Sequence, residues 1–87
     1  MDSIVNDRVT INSIDTQIRK LLEQRFNIVK EIGNFKKKNQ IAIYDKNRES
    51  KIYNDINIEN SIYKKYIIKI YNAILTQSYD LQQNIKC

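Results

Sequence analysis

The side chains able to do chemistry in this chain are few in kind. It holds no histidine and one cysteine, Cys87, at the last position. Zinc sites, Cys/His catalysis and Ser/His/Asp triads each require an imidazole or several thiolates, so those classes are excluded. A lone thiol closes no internal bridge, and Cys87 reads as a chance residue. Chemistry has to rest on Lys, Arg, carboxylates, amides or hydroxyls, without a metal or a cofactor.

Among the cations, position decides which matter. Fifteen Lys and Arg against ten Asp and Glu leave a formal charge of +5, which favours an anionic partner without naming it. The wealth of Ile, Asn, Lys and Tyr, with one Gly and no Pro, fits an A/T-rich genome and discounts the raw basicity. Arg19, Lys20, Lys30, Lys37 and Lys38 fall where solvated charges belong, and the Lys37-Lys38 pair also complements the dipole of a helix end.

Arg25 is different, because it lies in an apolar seam between Leu21, Ile28 and Ile32, and Lys36 falls within the same arc. Leaving such charges buried and unpaired costs roughly 3–5 kcal/mol, so something negative should meet them. A salt bridge or a snorkelling side chain would account for a single Arg. Two further segments add to it: Asp45, Arg48 and Glu49 project toward the side of Ile52 and Ile56, and Ser78 lies in a later apolar stripe with Gln82 at its edge. Polar residues on three apolar faces that must converge imply a polar pocket inside a small helical bundle.

Helices must carry these residues. With no proline and one glycine, little punctuates the chain, and strand-type alternation is weak, so the fold class is all-α with three helices. The first runs from about Ser3 to Asn39. In heptads it places Ile4, Ile11, Ile18, Arg25 and Ile32 at one seam position and Ile14, Leu21, Ile28 and Phe35 at the other. Residues Gln40 to Tyr44 form a connector. Asp45 then caps a second helix reaching about Asn57, and Asn60 or Ser61 caps a third that extends to about Asn84 and buries Tyr63, Ile67, Ile70, Ile74, Leu81 and Ile85.

A helix of about 36 residues is roughly 54 Å long, whereas an 87-residue globule is only about 30 Å across. One domain, residues 1–87, therefore cannot cover its own first helix, and an intertwined homodimer with interlocked first helices is expected. Arg8 is 17 residues before Arg25, roughly 25 Å along the axis, too far to share one small ligand within a chain. In an antiparallel pair it approaches the Arg25-to-Lys36 half of the partner. Gly33, inside the helix, costs about 1 kcal/mol against alanine and reads as a point of close helix packing. No run reaches the roughly 18 apolar residues that would cross a bilayer, and MDSIVNDRV lacks a secretory pattern, so a cytoplasmic location is expected.

Several stretches taken together resemble the all-helical, monofunctional chorismate mutases. They are Ile11-Asn12-Ser13-Ile14-Asp15 with Gln17 and Leu21-Leu22-Glu23-Gln24-Arg25, then Lys30-Glu31-Ile32-Gly33 with Lys36, then Ile43-Tyr44-Asp45-Lys46-Asn47-Arg48-Glu49, and last Ser78 with Gln82. The likeness spans nearly the whole chain; Ala42 stands where the family often has proline, and Lys46-Asn47 replaces a commoner Pro-containing pair. It implies rearrangement of chorismate to prephenate with no covalent intermediate. It also implies a site of Arg25, Lys36, Asp45, Arg48, Glu49, Ser78 and Gln82, completed by the partner copy's Arg8. In that arrangement the three Arg clamp the substrate carboxylates with help from Ser78. Lys36 and Gln82 donate to the ether oxygen, and Glu49 with the Asp45 region holds the ring hydroxyl.

Two other readings compete. An isochorismate pyruvate lyase shares this fold, but its relatives tend to carry apolar or small residues where this chain has Asp45 and Glu49. A non-catalytic helical module binding a polyanion would explain the charge through phosphate contacts, yet it leaves Arg25, Ser78 and Gln82 on inner faces without a reason. The expected partners are therefore a small-molecule substrate and a second copy of the chain, not nucleic acid or membrane.

Overall fold

The computed structural model describes residues 2–85, and the expectation about Cys87 lies outside them. Three helices make up the fold: α1 (Asp2–Lys38), α2 (Lys46–Glu59) and α3 (Lys64–Gln83), with no strand among the described residues. No helix among them is long and apolar enough to cross a membrane.

The length of α1 sets the shape. At 1.5 Å per residue its 37 residues span roughly 55 Å, and the longest dimension of the chain is 56 Å. The radius of gyration is 16.5 Å, against about 12 Å for a compact chain of this size. Only the C-terminal half of α1 is covered. α3 packs along it and along α2, while α1 and α2 do not pack directly on each other. Every residue from Asp2 to Leu21 is exposed, including the seam residues Ile14 at 47% and Leu21 at 62%. The buried apolar set is correspondingly small, comprising Val29, Ile56, Leu75 and Ile85.

Helix ends follow from local chemistry. Asp45, in an extended conformation, caps α2 by accepting a 3.0 Å hydrogen bond from the Arg48 amide, as the sequence predicts. With a single glycine in the chain, two non-glycine residues take the left-handed turns. Gln40 (φ 57°) follows α1, and Asn60 (φ 49°) closes α2 with its amide on the Ile56 carbonyl. Asparagine tolerates that region, whereas for Gln40 it costs on the order of 1–2 kcal/mol.

Several sequence expectations are corrected. α2 continues to Glu59 rather than stopping near Asn57. Asn60 and Ser61 do not cap α3; Tyr63 holds the cap position without a side-chain bond, and Ser61 Oγ instead accepts from the Tyr63 amide within the turn. This displaces the start of α3, and Tyr63 and Ile70, expected inside, are 60% and 59% exposed in the chain. Lys37 is not merely a solvated helix end, because its Nζ donates to the Ile85 carbonyl at 2.6 Å and ties the end of α3 to α1.

Candidate active site

The covered half of α1 turns Arg25, Ile28, Val29, Ile32 and Lys36 to one side, the face traced by steps of three and four residues. α3 presents Leu75, Ser78, Tyr79 and Gln82 from the next wall, and Asp45, Arg48 and Ile52 close the third. Between them lies a cavity of about 440 Å³, within the range of small-molecule sites. Six of the eight residues singled out from sequence line it: Arg25, Lys36, Asp45, Arg48, Ser78 and Gln82.

All but the Arg48 side chain are held by a specific hydrogen bond. Arg25 Nη1 donates to Ser78 Oγ at 2.7 Å, and the Ser78 hydroxyl donates in turn to the Ile74 carbonyl at 2.7 Å. The serine is thus a fixed acceptor that keeps the guanidinium at the cavity wall. Lys36 Nζ donates to the Ile43 carbonyl at 2.8 Å, which leaves two ammonium protons to point elsewhere. Gln82 is buried; its Nε2 donates to the Val29 carbonyl at 3.2 Å, and its Oε1 has no partner. The carbonyl of Val29 orients the amide, so the second N–H is the donor left over for a ligand.

Gly33 explains why Gln82 comes so close. A Cβ at that position would sit 2.5 Å from Ile85 Cδ1 and 2.9 Å from Gln82 Cγ, so the glycine is a contact point between α1 and α3. The expectation of close helix packing there holds.

The charge in the cavity is unbalanced. Arg25, Lys36 and Arg48 set three cations against the single carboxylate of Asp45, which is itself engaged as a helix cap. Among the described residues the ion pair found is Lys51 with Asp55, on the surface, and none of the three cavity cations has a carboxylate within 4 Å. A doubly negative ligand would balance them. A smaller cavity of about 260 Å³ lies across Arg25 and Arg48, lined also by Asp55, Glu59 and Tyr71.

Two predicted residues stand outside the cavity lining. Arg8 is exposed on the free half of α1, far along the helix from Arg25. Glu49 is half-buried and stands behind Tyr79, whose hydroxyl donates to its Oε2 at 3.1 Å. Tyr79 itself is a lining residue that the sequence reading passes over, although it lies one position after Ser78 and three before Gln82, on the same inner arc of α3. Its ring packs against Tyr44 at 5.5 Å with a 57° tilt. Burial, and then the neighbouring Glu49, pushes the Tyr79 hydroxyl above its ordinary value against an opposing pull from the Asp45 backbone, so it remains a proton donor at neutral pH.

A three-helix chain with a long, half-uncovered first helix and a cation-lined pocket between its helices defines a class of small all-helical proteins with a polar internal cavity. The chain belongs to the chorismate mutase type II family, whose model matches residues 7–83. Comparisons with curated proteins and with solved structures give no match. Membership brings with it a chorismate mutase-type, isomerase activity at the level of the family.

Proposed function

We propose that this cavity binds chorismate and catalyses its intramolecular rearrangement to prephenate, on the route to phenylalanine and tyrosine. The observation that carries the reading is the excess of positive charge: three cations without carboxylate partners, facing one carboxylate, in a cavity sized for a small molecule in a chain of this family.

Chorismate is a dianion with an enolpyruvyl ether. Its rearrangement breaks a C–O bond while a C–C bond forms, so no nucleophile is needed. The protein has to hold a flexible substrate in its compact reactive conformer and stabilise the negative charge that grows on the ether oxygen. Arg25 and Arg48 present guanidinium forks suited to carboxylates, with Arg25 kept in place by Ser78. Lys36 and the free N–H of Gln82, on facing walls, supply donors for the ether oxygen. The ring hydroxyl falls to the Asp45 and Glu49 side.

The active form in this proposal is an intertwined homodimer. Ile4, Ile11, Ile14, Ile18 and Leu21 are each about half exposed or more, and covering what remains would contribute roughly 1 kcal/mol apiece. A second α1 lying antiparallel across this stripe covers it and delivers the partner copy's Arg8 toward the cavity. Incubating purified protein with chorismate and, separately, with isochorismate, and identifying products, tests the reading. Prephenate from chorismate is expected; pyruvate release from isochorismate alone would assign the lyase reaction, and no turnover of either would remove the enzyme.

A further inference from the structure

Tyr79 lines the cavity, whereas Glu49 does not and meets it through the Tyr79 hydroxyl. The tyrosine hydroxyl directs its proton to Glu49 Oε2 at 3.1 Å, and its ring packs against Tyr44. A phenolic oxygen that gives its proton to a carboxylate can still accept, and donation to a charged acceptor makes it a better acceptor. In its present setting the Tyr79 oxygen is therefore suited to accept a hydrogen bond from a ligand rather than to donate one.

Resting on the proposed mutase reading, the geometry points to Tyr79 as the group that meets the ring hydroxyl of the substrate: the substrate O–H donates to Tyr79 Oη, which donates to Glu49. Glu49 is then a positioning residue that fixes the direction of the tyrosine proton, and Tyr79 determines specificity for a ligand carrying a free hydroxyl at this wall. An ether or ketone oxygen at the same place would meet another acceptor and be rejected. A hydroxyl directed elsewhere would leave the tyrosine lone pairs unused. Nothing covalent changes in this step, and the proton stays with the substrate oxygen.

The experiment compares kcat/KM for chorismate with that for the same molecule methylated on its ring hydroxyl. In the wild type the free hydroxyl should be preferred by about tenfold or more, the scale of one hydrogen bond with a charged partner behind it. Tyr79→Phe keeps the ring against Tyr44 and removes the oxygen. It should raise KM for chorismate several-fold with a smaller change in kcat, and bring the preference down toward unity. Glu49→Ala is the second variant, read whether or not Tyr79→Phe folds. It frees the tyrosine proton to turn toward a methyl ether, so the preference should fall there too. A preference that survives in the folded variants, or an equal loss for both substrates in Tyr79→Phe, overturns the assignment and leaves Tyr79 as packing. If the wild type turns over chorismate with no preference for the free hydroxyl, this inference fails alone. If the wild type does not turn over chorismate, the mutase reading fails with it.

Discussion

Arg25, Lys36 and Gln82 occupy positions where a chain with nothing to bind would place leucines, and each has found a contact that orients it without neutralising it. For Lys36 that contact is a loop carbonyl, which uses one of three protons. Lys36→Ala removes a donor from the proposed ether-oxygen site. By the usual cost of such a donor, about 2.7–4 kcal/mol, kcat should fall on the order of a hundred- to a thousandfold. A steady-state assay with a thermal melt checks this, and full activity in a folded variant would take Lys36 out of the mechanism. Gln82→Glu puts an acid where an amide now donates to the Val29 carbonyl. Burial raises the pKa of such a group above the roughly 4.3 it has in the unfolded chain, so stability is complete below that value and is lost as pH rises through the folded one. Since only the protonated form donates, activity should also shift to acid pH, and a pH-rate profile matching the wild type would refute the donor role of Gln82. These residues were legible in the sequence because charge and amide groups stand out on an apolar face. Tyr79 did not stand out: an aromatic ring on an inner arc is ordinary core, and its partner Glu49 is thirty positions away in the chain.

At the scale of the elements, α3 is positioned by its far end. Gly33 lets Ile85 and Gln82 come against α1, and Lys37 fastens the Ile85 carbonyl. Gly33→Ala gains about 1 kcal/mol of helix propensity but forces Ile85 and the stem of Gln82 to move, at about 1–3 kcal/mol for overpacking. A net loss of about 1 kcal/mol in urea unfolding is expected, with a fall in kcat because Gln82 is displaced. A variant as stable and as active as the wild type would mean that the close approach is not needed. The glycine was legible as a packing point. The start of α3 and the role of Lys37 were not, because both depend on where one helix end lands against another. Asp45 was legible because capping is decided within four residues, whereas the turn from Asn60 to Tyr63 offers several polar residues and chooses by backbone geometry.

For the whole molecule, the sequence already implied that α1 is too long for its own chain, and the structure leaves its first half bare. In the proposed dimer a second copy covers that half, a reading supported by the exposed apolar seam and by Arg8, which lies outside its own chain's cavity. In the proposed enzyme two copies share a site that turns chorismate into prephenate. Arg8→Ala and Arg25→Ala test this most directly, each alone and then unfolded together and refolded as an equimolar mixture. Each homodimer should be nearly inactive. In the mixed dimer one site keeps an intact Arg25 and receives an intact Arg8, so prephenate formation should return to about a quarter of the wild-type rate. A mixture as inactive as its components, beside an active wild type refolded in the same way, would contradict the shared site.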